Sequence, residues 1–495
     1  MLQNEVIAND AVLYIRSAKL YSVGAYVEAF KLFPRSTFPL FIAFAQRFIG
    51  DWVQAGQWVS AFFGALTLVP FYFLALGMFG GKIAIVSSSF YVICPSLVQN
   101  SAEVLRDTPF VFFYITALWL GYEGIRKKRA EIMGLAGLLI LLCGSIKDYG
   151  LMLFLSLLLF LCWFVVKRKI TLRKTIFLCL TFLASAVIVL TLLVSLLDHG
   201  GFNIKTSVVT RAEGALTGIT HHGAAMSKLK EGIEKSELSA NEKRFLGIAI
   251  HHRFAVYFLY IISKTIDAFS VILFVLFIFG LVKRYIIPYQ LDEFLLLAIY
   301  VTYIPLYLLL LNFAGYLQTK NIFPILVPSL IWSGVGFEEF VGRGKNWIRK
   351  YSFPFKEAVL RRIGLLMIVL IIMTMLFIGL GPQREDKLEL KKIGLWLKNN
   401  GYVNSIILGQ TDLMRLAFYA ESEFIPIPKG SCEDIIEFAK KRRANLLVID
   451  KRVMDKWSSN FLDKISSGDL KPINMAGIKT PQDIVMVFLV SDRMQ

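Results

Sequence analysis

The chain has 495 residues, of which 56% are hydrophobic and 14% aromatic, whereas only 18% are charged. A soluble domain of this length would be far less apolar, so water cannot be its only solvent. The net charge of +18 does not indicate nucleic-acid binding, because the lysines and arginines cluster in short loops between apolar blocks, where they act as topology signals. The five cysteines form no disulfide framework and no C-x-x-C metal spacing.

The first segment, residues 1–56, precedes the long apolar blocks. Between Asp10 and Gly50, aromatic and aliphatic residues recur at helical spacings, with interruptions at Pro34 and Pro39. This pattern predicts two short helices that lie along the membrane surface.

Residues 57–382 form a predicted multi-span membrane domain. Its apolar blocks are long enough, with their flanking residues, to approach the ~20 residues that a helix needs to cross hydrocarbon. The ten predicted spans are Gln57–Phe79, Ile83–Val98, Pro109–Ile125, Ile132–Ile146, Leu151–Val166, Thr175–Leu197, Ala268–Val282, Phe294–Leu311, Ile322–Phe337 and Ile363–Leu380.

Basic residues divide the connecting loops into two sets. Consecutive spans alternate sides, and loops rich in lysine and arginine stay in the cytoplasm. The basic set comprises 126–129, 167–174, 283–284 and 343–362. The short loops of the other set carry single basic residues, namely Arg106, Lys147 and Lys320. The second set is therefore predicted to face outward, together with both termini and the long loop 198–253.

Two features of the outward side extend this topology. Within the long loop, Phe245–Ile262 is aromatic and apolar enough to lie in the membrane interface. An outward N-terminal segment with no span before it also predicts that a first helix is missing from the sequence.

Residues 383–495 have the composition of a small soluble domain. Helical and strand-like stretches alternate, which predicts an α/β layer. The predicted helices are Leu388–Lys398, Asp412–Ala420 and Cys432–Lys441, and the predicted strands are Ser405–Leu408, Phe424–Ile427, Leu446–Ile449 and Ile484–Val490. The domain contains neither G-x-G-x-x-G nor P-loop spacing, so nucleotide binding has no support there.

Four short motifs lie on the predicted outer side. They are NDAVLY at Asn9–Tyr14, EVLRDTPF at Glu103–Phe110, GSIKDYG at Gly144–Gly150 and KNIFP at Lys320–Pro324. In order and placement, the sequence over Asp10 to Leu380 resembles the GT-C superfamily of polyprenyl-phosphate-dependent membrane glycosyltransferases. The resemblance is strongest to the branch that contains protein O-mannosyltransferases and aminoarabinose transferases.

This chain departs from the family pattern at three motif positions. Many members have an Asp-Glu pair where this chain has Asn9 and Asp10. Glu103 stands where O-mannosyltransferases often have arginine, and Lys320 replaces the arginine of an Arg-Tyr-x-x-Pro motif.

The resemblance implies a fold and a chemistry. The fold is a polytopic α-helical membrane protein of GT-C type, with about ten spans here, the first family helix missing, and a small C-terminal α/β domain. The reaction is an inverting hexosyl or pentosyl transfer from a polyprenyl-phosphate sugar to a lipid, polysaccharide or protein acceptor outside a bacterial or archaeal plasma membrane. A carboxylate takes a proton from the acceptor while cationic groups stabilise the phosphate.

Carried onto this sequence, the resemblance assigns residue roles. The expected catalytic residues are Asp10, as the base, and Asp107. The expected substrate contacts are Tyr14, Glu103, Arg106, Lys147 and Lys320. A divalent cofactor is unknown: some members hold one with carboxylates, but the first motif has lost one of its two acids, and no metal ligand is assigned.

Other interpretations stay open from the sequence alone. Either aspartate could cap a helix, and the lysines could be interfacial residues whose stems snorkel. The adjacent pairs at His221 and His251 have poor geometry for one zinc ion. A transporter should show internal repeats or ionisable residues in mid-membrane, whereas a scaffold would use the C-terminal domain to bind a partner.

Overall fold

The computed structural model describes most of the chain. The described residues are 6–33, 37–199, 230–236, 238–286, 291–350, 357–381, 384–428, 432–450, 470–473 and 485–490. The middle of the predicted long loop, with His221 and His222, lies outside them.

The N-terminal segment forms three helices instead of the predicted two. They are α1 (Asn9–Ser22), α2 (Tyr26–Leu32) and α3 (Phe38–Ile49). The additional break falls at Gly24, whose φ of 80° is a left-handed conformation that glycine adopts at little cost. Pro34 and Pro39 indicate only one of the two breaks, and Gly24 provides the other.

A helix bundle follows the N-terminal segment. Its helices up to residue 199 are α4 (Trp52–Leu66), α5 (Leu68–Phe79), α6 (Gly81–Ile93), α7 (Pro95–Ser101), α8 (Asp107–Lys127), α9 (Ala130–Ile146), α10 (Met152–Val166) and α11 (Leu172–His199). The later helices are α12 (230–235), α13 (Ala240–His251), α14 (Arg253–Phe269), α15 (Val271–Ile286), α16 (Phe294–Ala314), α17 (Phe323–Lys350) and α18 (Glu357–Leu380). The predicted polytopic helical class is confirmed.

Among the described residues, four helical stretches are long and apolar enough to cross a membrane. They are Trp52–Phe79, Asp148–Val166, Phe294–Ala314 and Thr319–Gly344. Two bent helix pairs, α6 with α7 and α13 with α14, would bring the number to six if each pair forms one span. The count of ten spans stays a prediction.

Two predicted spans differ from the structure in their course. The segment predicted as Ile83–Val98 bends by 57° between α6 and α7. The bend falls at Cys94, because the proline after it excludes helical backbone and leaves ψ at 115°. The span predicted from Ala268 begins instead at Val271, after Ser270 with φ at 65°.

Helices α15 and α17 pack with their backbones in contact. A Cβ atom on Gly280 would lie 2.1 Å from the Trp332 carbonyl oxygen, and one on Gly336 would lie 1.8 Å from that of Leu276. Small residues at such a crossing allow the close helix packing that stabilises membrane bundles.

The C-terminal unit is the small α/β layer that the sequence predicts. Its helices are α19 (Leu388–Asn399), α20 (Met414–Tyr419) and α21 (Cys432–Lys441), and its strands are β1 (Ile406–Gly409), β2 (Glu423–Pro426), β3 (Leu446–Asp450), β4 (Leu470–Pro472) and β5 (Val485–Val490). The strand order is β2-β1-β3-β5-β4, with β1 parallel to β2 and β3, and β5 antiparallel to β3 and β4. The short strand β4 was not predicted.

Apolar packing joins this unit to the N-terminal segment. One hydrophobic cluster contains buried residues of α1, such as Val12 and Ile15, together with buried residues of α19 and α20, such as Ile393 and Leu416. The α/β layer is therefore packed directly on the helix that begins with Asn9.

Candidate active site

Four segments that are distant in the sequence meet around one cavity. Two of them carry an aspartate in the first turn of a helix, Asp10 in α1 and Asp107 in α8, where unpaired backbone N–H groups favour negative charge; of the second segment, Arg106 lines the cavity. The other two contribute lysines. Lys147 caps the end of α9, and Lys320 lies in the 3-10 turn Thr319–Ile322.

The cavity has a volume of about 730 Å³. Its charged lining residues are Asp10, Arg106, Lys147, Asp148 and Lys320. Its apolar lining residues are Phe33, Ile146, Met152, Leu306 and Leu310. A cavity with both linings suits an amphiphilic ligand that has a charged head and an apolar chain.

Asp10 and Lys320 form an accessible ion pair. The Asp10 Oδ2 and Lys320 Nζ atoms lie 3.1 Å apart, and the side chains are 53% and 22% exposed, respectively. Both residues also line a second, smaller cavity of about 350 Å³, which adjoins Asn9, Asn100 and Arg384. Asp10 can therefore be reached from both cavities.

Asp107 and Lys147 form a buried ion pair. Their side chains are 1% and 5% exposed, and the lysine ammonium also donates to the Tyr149 hydroxyl at 2.8 Å. Burial lowers the pKa of Lys147, and the neighbouring Asp107 carboxylate opposes that shift. Lys147 lines the large cavity but Asp107 does not, so the carboxylate supports the lysine from behind.

Arg106 is the cavity cation that pairs with no carboxylate among the described residues. Its Nη1 atom donates to the Ile146 carbonyl oxygen at 2.8 Å, and its guanidinium lies over the Phe33 ring at 5.1 Å. These contacts orient the group without neutralising its charge, which leaves it able to bind an anion.

Glu103 and Tyr14 lie outside the lining of the large cavity. Glu103 is buried and accepts a hydrogen bond from Arg384. Tyr14 is buried with its ring edge-on to Phe33 and Phe38, at centroid distances of 4.9 and 5.2 Å, and burial raises its pKa. The structure thus gives both residues packing contacts, and their predicted contact with substrate stays a prediction.

The structure brings further residues to the cavity that received no role in the sequence analysis. Asp148 and Tyr149 follow Lys147 directly, while Tyr316, Gln318 and Asn321 surround Lys320. Their adjacency to the two motif lysines was the sequence signal that could have identified them.

Two buried tyrosines of α16 hold the lysine-bearing loops. The Tyr303 hydroxyl donates to the Tyr149 carbonyl oxygen at 3.1 Å, and the Tyr307 hydroxyl donates to that of Asn321 at 2.7 Å. Because these tyrosines are four residues apart, they lie on one face of the helix. One rigid element therefore fixes both loops.

The part of the chain that the structure describes contains no group of three or more histidine, cysteine, aspartate or glutamate side chains that could hold a metal ion. Asp10 and Asp107 are each paired with a lysine. The predicted pair at His221 lies outside the described residues.

The cavity lies at one end of α8. This helix has 21 residues and runs from Asp107 to Lys127, which corresponds to about 30 Å at 1.5 Å per residue. The basic loop 126–129 is therefore separated from the cavity by roughly the thickness of a bilayer's hydrocarbon core.

These features define a class. The bundle of apolar helices followed by a small α/β layer is similar to the GT-C fold. Residues 37–194 match the family model of dolichyl-phosphate-mannose-protein mannosyltransferases. This stretch contains Arg106, Asp107 and Lys147 but neither Asp10 nor Lys320.

Solved structures agree on the fold. The chain is similar to ArnT from Cupriavidus metallidurans bound to undecaprenyl phosphate, with a TM-score of 0.59 and 11% identity over 99% of this chain and 94% of that one. The apo state of the same protein gives 0.59 and 11%, over 98% and 93%. The apo Archaeoglobus fulgidus oligosaccharyltransferase gives 0.52 and 14%, over 94% and 69%. No curated protein sequence matches the chain.

The family-model match covers about a third of the chain, and the solved structures show likeness in fold.

Proposed function

We propose that this protein transfers a sugar from a polyprenyl-phosphate carrier to an acceptor on the extracytoplasmic side of the plasma membrane, with inversion at the anomeric carbon. The observation that carries the proposal is the convergence of Asp10, Arg106, Lys147 and Lys320 on one cavity that also has aliphatic walls. A polyprenyl-phosphate sugar has the matching parts, which are an anionic headgroup and an apolar chain.

Cations of the cavity suit the carrier phosphate. Arg106 pairs with no carboxylate in the described part of the chain, so its guanidinium is the best candidate for a bidentate phosphate contact. Lys147, held by Asp107, adds a fixed positive charge nearby. As the bond between the anomeric carbon and the phosphate oxygen breaks, these groups stabilise the charge that develops on the leaving phosphate.

Asp10 suits the role of general base. Its carboxylate lines the cavity and is half-exposed, so an acceptor hydroxyl or amine can approach it. In the proposed step the acceptor's proton passes to Asp10, its oxygen or nitrogen bonds to the anomeric carbon, and the electron pair of the breaking bond leaves with the phosphate. Attack from the face opposite the leaving group inverts the configuration.

Burial favours a different role for Asp107. A carboxylate that is 1% exposed and paired with Lys147 has no route to an acceptor. We therefore assign Asp107 as the positioning residue for Lys147, which modifies the expectation that both aspartates are catalytic.

The orientation rests on the distribution of charge along the chain. The cavity lies at the end of α8 that is remote from the loop 126–129, which carries four basic residues. Because such loops stay in the cytoplasm, the cavity would open on the extracytoplasmic side, where lipid-linked donors are used.

A transfer assay tests the proposal. Purified protein is incubated with radiolabelled polyprenyl-phosphate sugars and membrane acceptors, and labelled product is measured for wild type and Asp10→Asn. Loss of a general base lowers the rate by about 100- to 10,000-fold. Asp51→Asn is the matched control, since Asp51 caps α4 by accepting from the Gln54 N–H and asparagine caps equally well.

Three outcomes distinguish the candidate functions. Transfer that Asp10→Asn abolishes and Asp51→Asn preserves supports the proposal. Transfer that continues unchanged in Asp10→Asn removes Asp10 as the base. Uptake into vesicles that follows an ion gradient, without a covalent product, would favour a transporter instead.

A further inference from the structure

The C-terminal α/β unit is bonded directly to the helix that carries Asp10. The Asn9 side chain donates to the Thr411 carbonyl oxygen at 3.0 Å, and Arg16 donates to that of Ser422 at 2.7 Å. The backbone N–H of Ile7 also donates to the Tyr419 hydroxyl at 2.9 Å. Residues on both sides of Asp10 in the sequence thus make hydrogen bonds to the C-terminal unit, in addition to the shared hydrophobic cluster.

The segment that leads into this unit is bonded to the second acidic motif. Arg384 donates to Glu103, whose side chain is only 4% exposed. Burial raises the pKa of Glu103, and the charge of Arg384 opposes that shift. Arg384 adopts a left-handed φ of 61°, a conformation that costs a non-glycine residue energy unless its surroundings hold it.

The loop on which Glu103 lies is otherwise fixed by small contacts with α4. The Val104 side chain packs against Gly56, where a Cβ atom would lie 2.5 Å from it. The Ser60 hydroxyl donates to the Leu105 carbonyl oxygen at 3.1 Å. Arg106 comes next in this loop. A shift of the Glu103 end would therefore be transmitted within three residues to the cavity cation.

We propose that the C-terminal unit is part of the frame of the active site, and that Arg384 is a positioning residue that sets Arg106 through Glu103. The inference rests on the proposed function for its catalytic consequence. Its structural content is independent of that function: the loop 102–106 keeps its conformation because a residue from beyond the last bundle helix is bonded to it.

The burial of the Arg384–Glu103 pair favours a positioning role over one that only attaches the C-terminal unit to the bundle. Breaking a buried pair leaves a charged group without its partner, which costs far more than losing an exposed pair. Arg384→Ala removes a charged partner from the buried Glu103 carboxylate, together with the contact that ties the loop to residue 384. The loop would then be able to shift, and Arg106 with it.

Transfer kinetics and hydrogen exchange on the full-length protein test the proposal. In Arg384→Ala we expect kcat to fall by roughly tenfold to hundredfold, since a misplacement of about 1 Å has that effect on a positioned group. Arg384→Lys should recover part of the loss, because it keeps the charge. The double variant Glu103→Ala with Arg384→Ala should be no more impaired than Arg384→Ala alone, since both substitutions break the same contact.

Hydrogen exchange supplies a readout that needs no activity. Backbone amides of residues 100–110 should exchange faster in Arg384→Ala, whereas those of α16 (Phe294–Ala314) should not change. Lys387→Ala is the control. Lys387 lies three residues from Arg384 and pairs with Asp386 at 3.2 Å on the surface, so both readouts should stay at wild-type values.

Failure of the proposed function and failure of this inference give different results. If wild type shows no transfer but residues 100–110 still exchange faster in Arg384→Ala, the transferase proposal fails and the positioning role of Arg384 stands. Unchanged exchange at residues 100–110 in Arg384→Ala overturns the inference. In an active wild type, an unchanged kcat or a double variant as impaired as the sum of its parts would overturn it too.

Discussion

The buried pair of Asp107 and Lys147 allows stability and catalysis to be separated by substitution. The single variant Lys147→Met leaves the Asp107 carboxylate in a site where it is 1% exposed. One of its oxygens, Oδ2, is already buried without a hydrogen-bond partner among the described residues. Removing one partner of such a pair destabilises a protein by about 3–5 kcal/mol.

The double variant Asp107→Leu with Lys147→Met removes both charges and roughly keeps the volume. Replacing a buried ion pair by packed apolar residues is often neutral or stabilising. The Tyr149 hydroxyl loses its 2.8 Å contact with the lysine, which costs about 1 kcal/mol. We therefore expect the double variant to unfold within about 1 kcal/mol of wild type, with no transfer activity, because the cation near the phosphate is gone.

Thermal unfolding in detergent and the transfer assay measure the two effects on the same samples. A single variant as stable as wild type would show that the pair is not buried as described. A double variant as unstable as the two single variants combined would refute the argument that an unpaired charge causes the loss. A double variant with normal transfer would refute the role of Lys147.

Two further predictions concern the frame around the cavity. Gly336→Ala should lower the unfolding temperature, because its Cβ would lie 1.8 Å from a backbone oxygen of the neighbouring helix and overpacking costs about 1–3 kcal/mol. Gly342→Ala should leave the unfolding temperature unchanged, because no atom lies within 4 Å of its Cβ. Equal unfolding temperatures for the two variants would contradict the close crossing of α15 and α17. Tyr307→Phe should slow transfer severalfold by releasing the carbonyl of Asn321, which follows Lys320 directly. Tyr300→Phe should retain normal rates, because the Tyr300 hydroxyl contacts Ser329 instead. Rates are measured at saturating donor, and equal rates for the two variants would exclude a role for Tyr307 in holding the Asn321 loop.

The helical class and the positions of the charged loops were predictable from the sequence. Apolar blocks specify membrane helices because the bilayer leaves the backbone no other way to satisfy its hydrogen bonds. The same logic placed Lys147 and Lys320 on one side of the bundle, and the structure puts both at the large cavity. The α/β layer also followed from pattern, apart from the three-residue strand β4.

Features that depend on long-range packing were not predictable. Glu103 and Arg384 are 281 residues apart, and nothing local to either residue indicates the other. A motif match identifies residue types but not their burial, so both Asp10 and Asp107 were expected to be catalytic. Local backbone events were missed for another reason: the bend at Cys94 and the break at Gly24 each depend on a single residue within a strongly apolar or helical pattern.

The two lysine–carboxylate pairs differ in burial, and we infer their different roles from that difference. An exposed pair such as Asp10 and Lys320 is worth little in free energy, so an acceptor or a phosphate can replace either partner at small cost. A buried pair such as Asp107 and Lys147 cannot exchange partners without exposing a charge to an apolar surrounding. In the proposed mechanism the accessible Asp10 carboxylate therefore takes the proton, and the buried Asp107 carboxylate holds the Lys147 cation. Because the chemical groups are the same in both pairs, their assignment depends on the surrounding packing, and the C-terminal unit that contacts α1 and Glu103 is part of that packing.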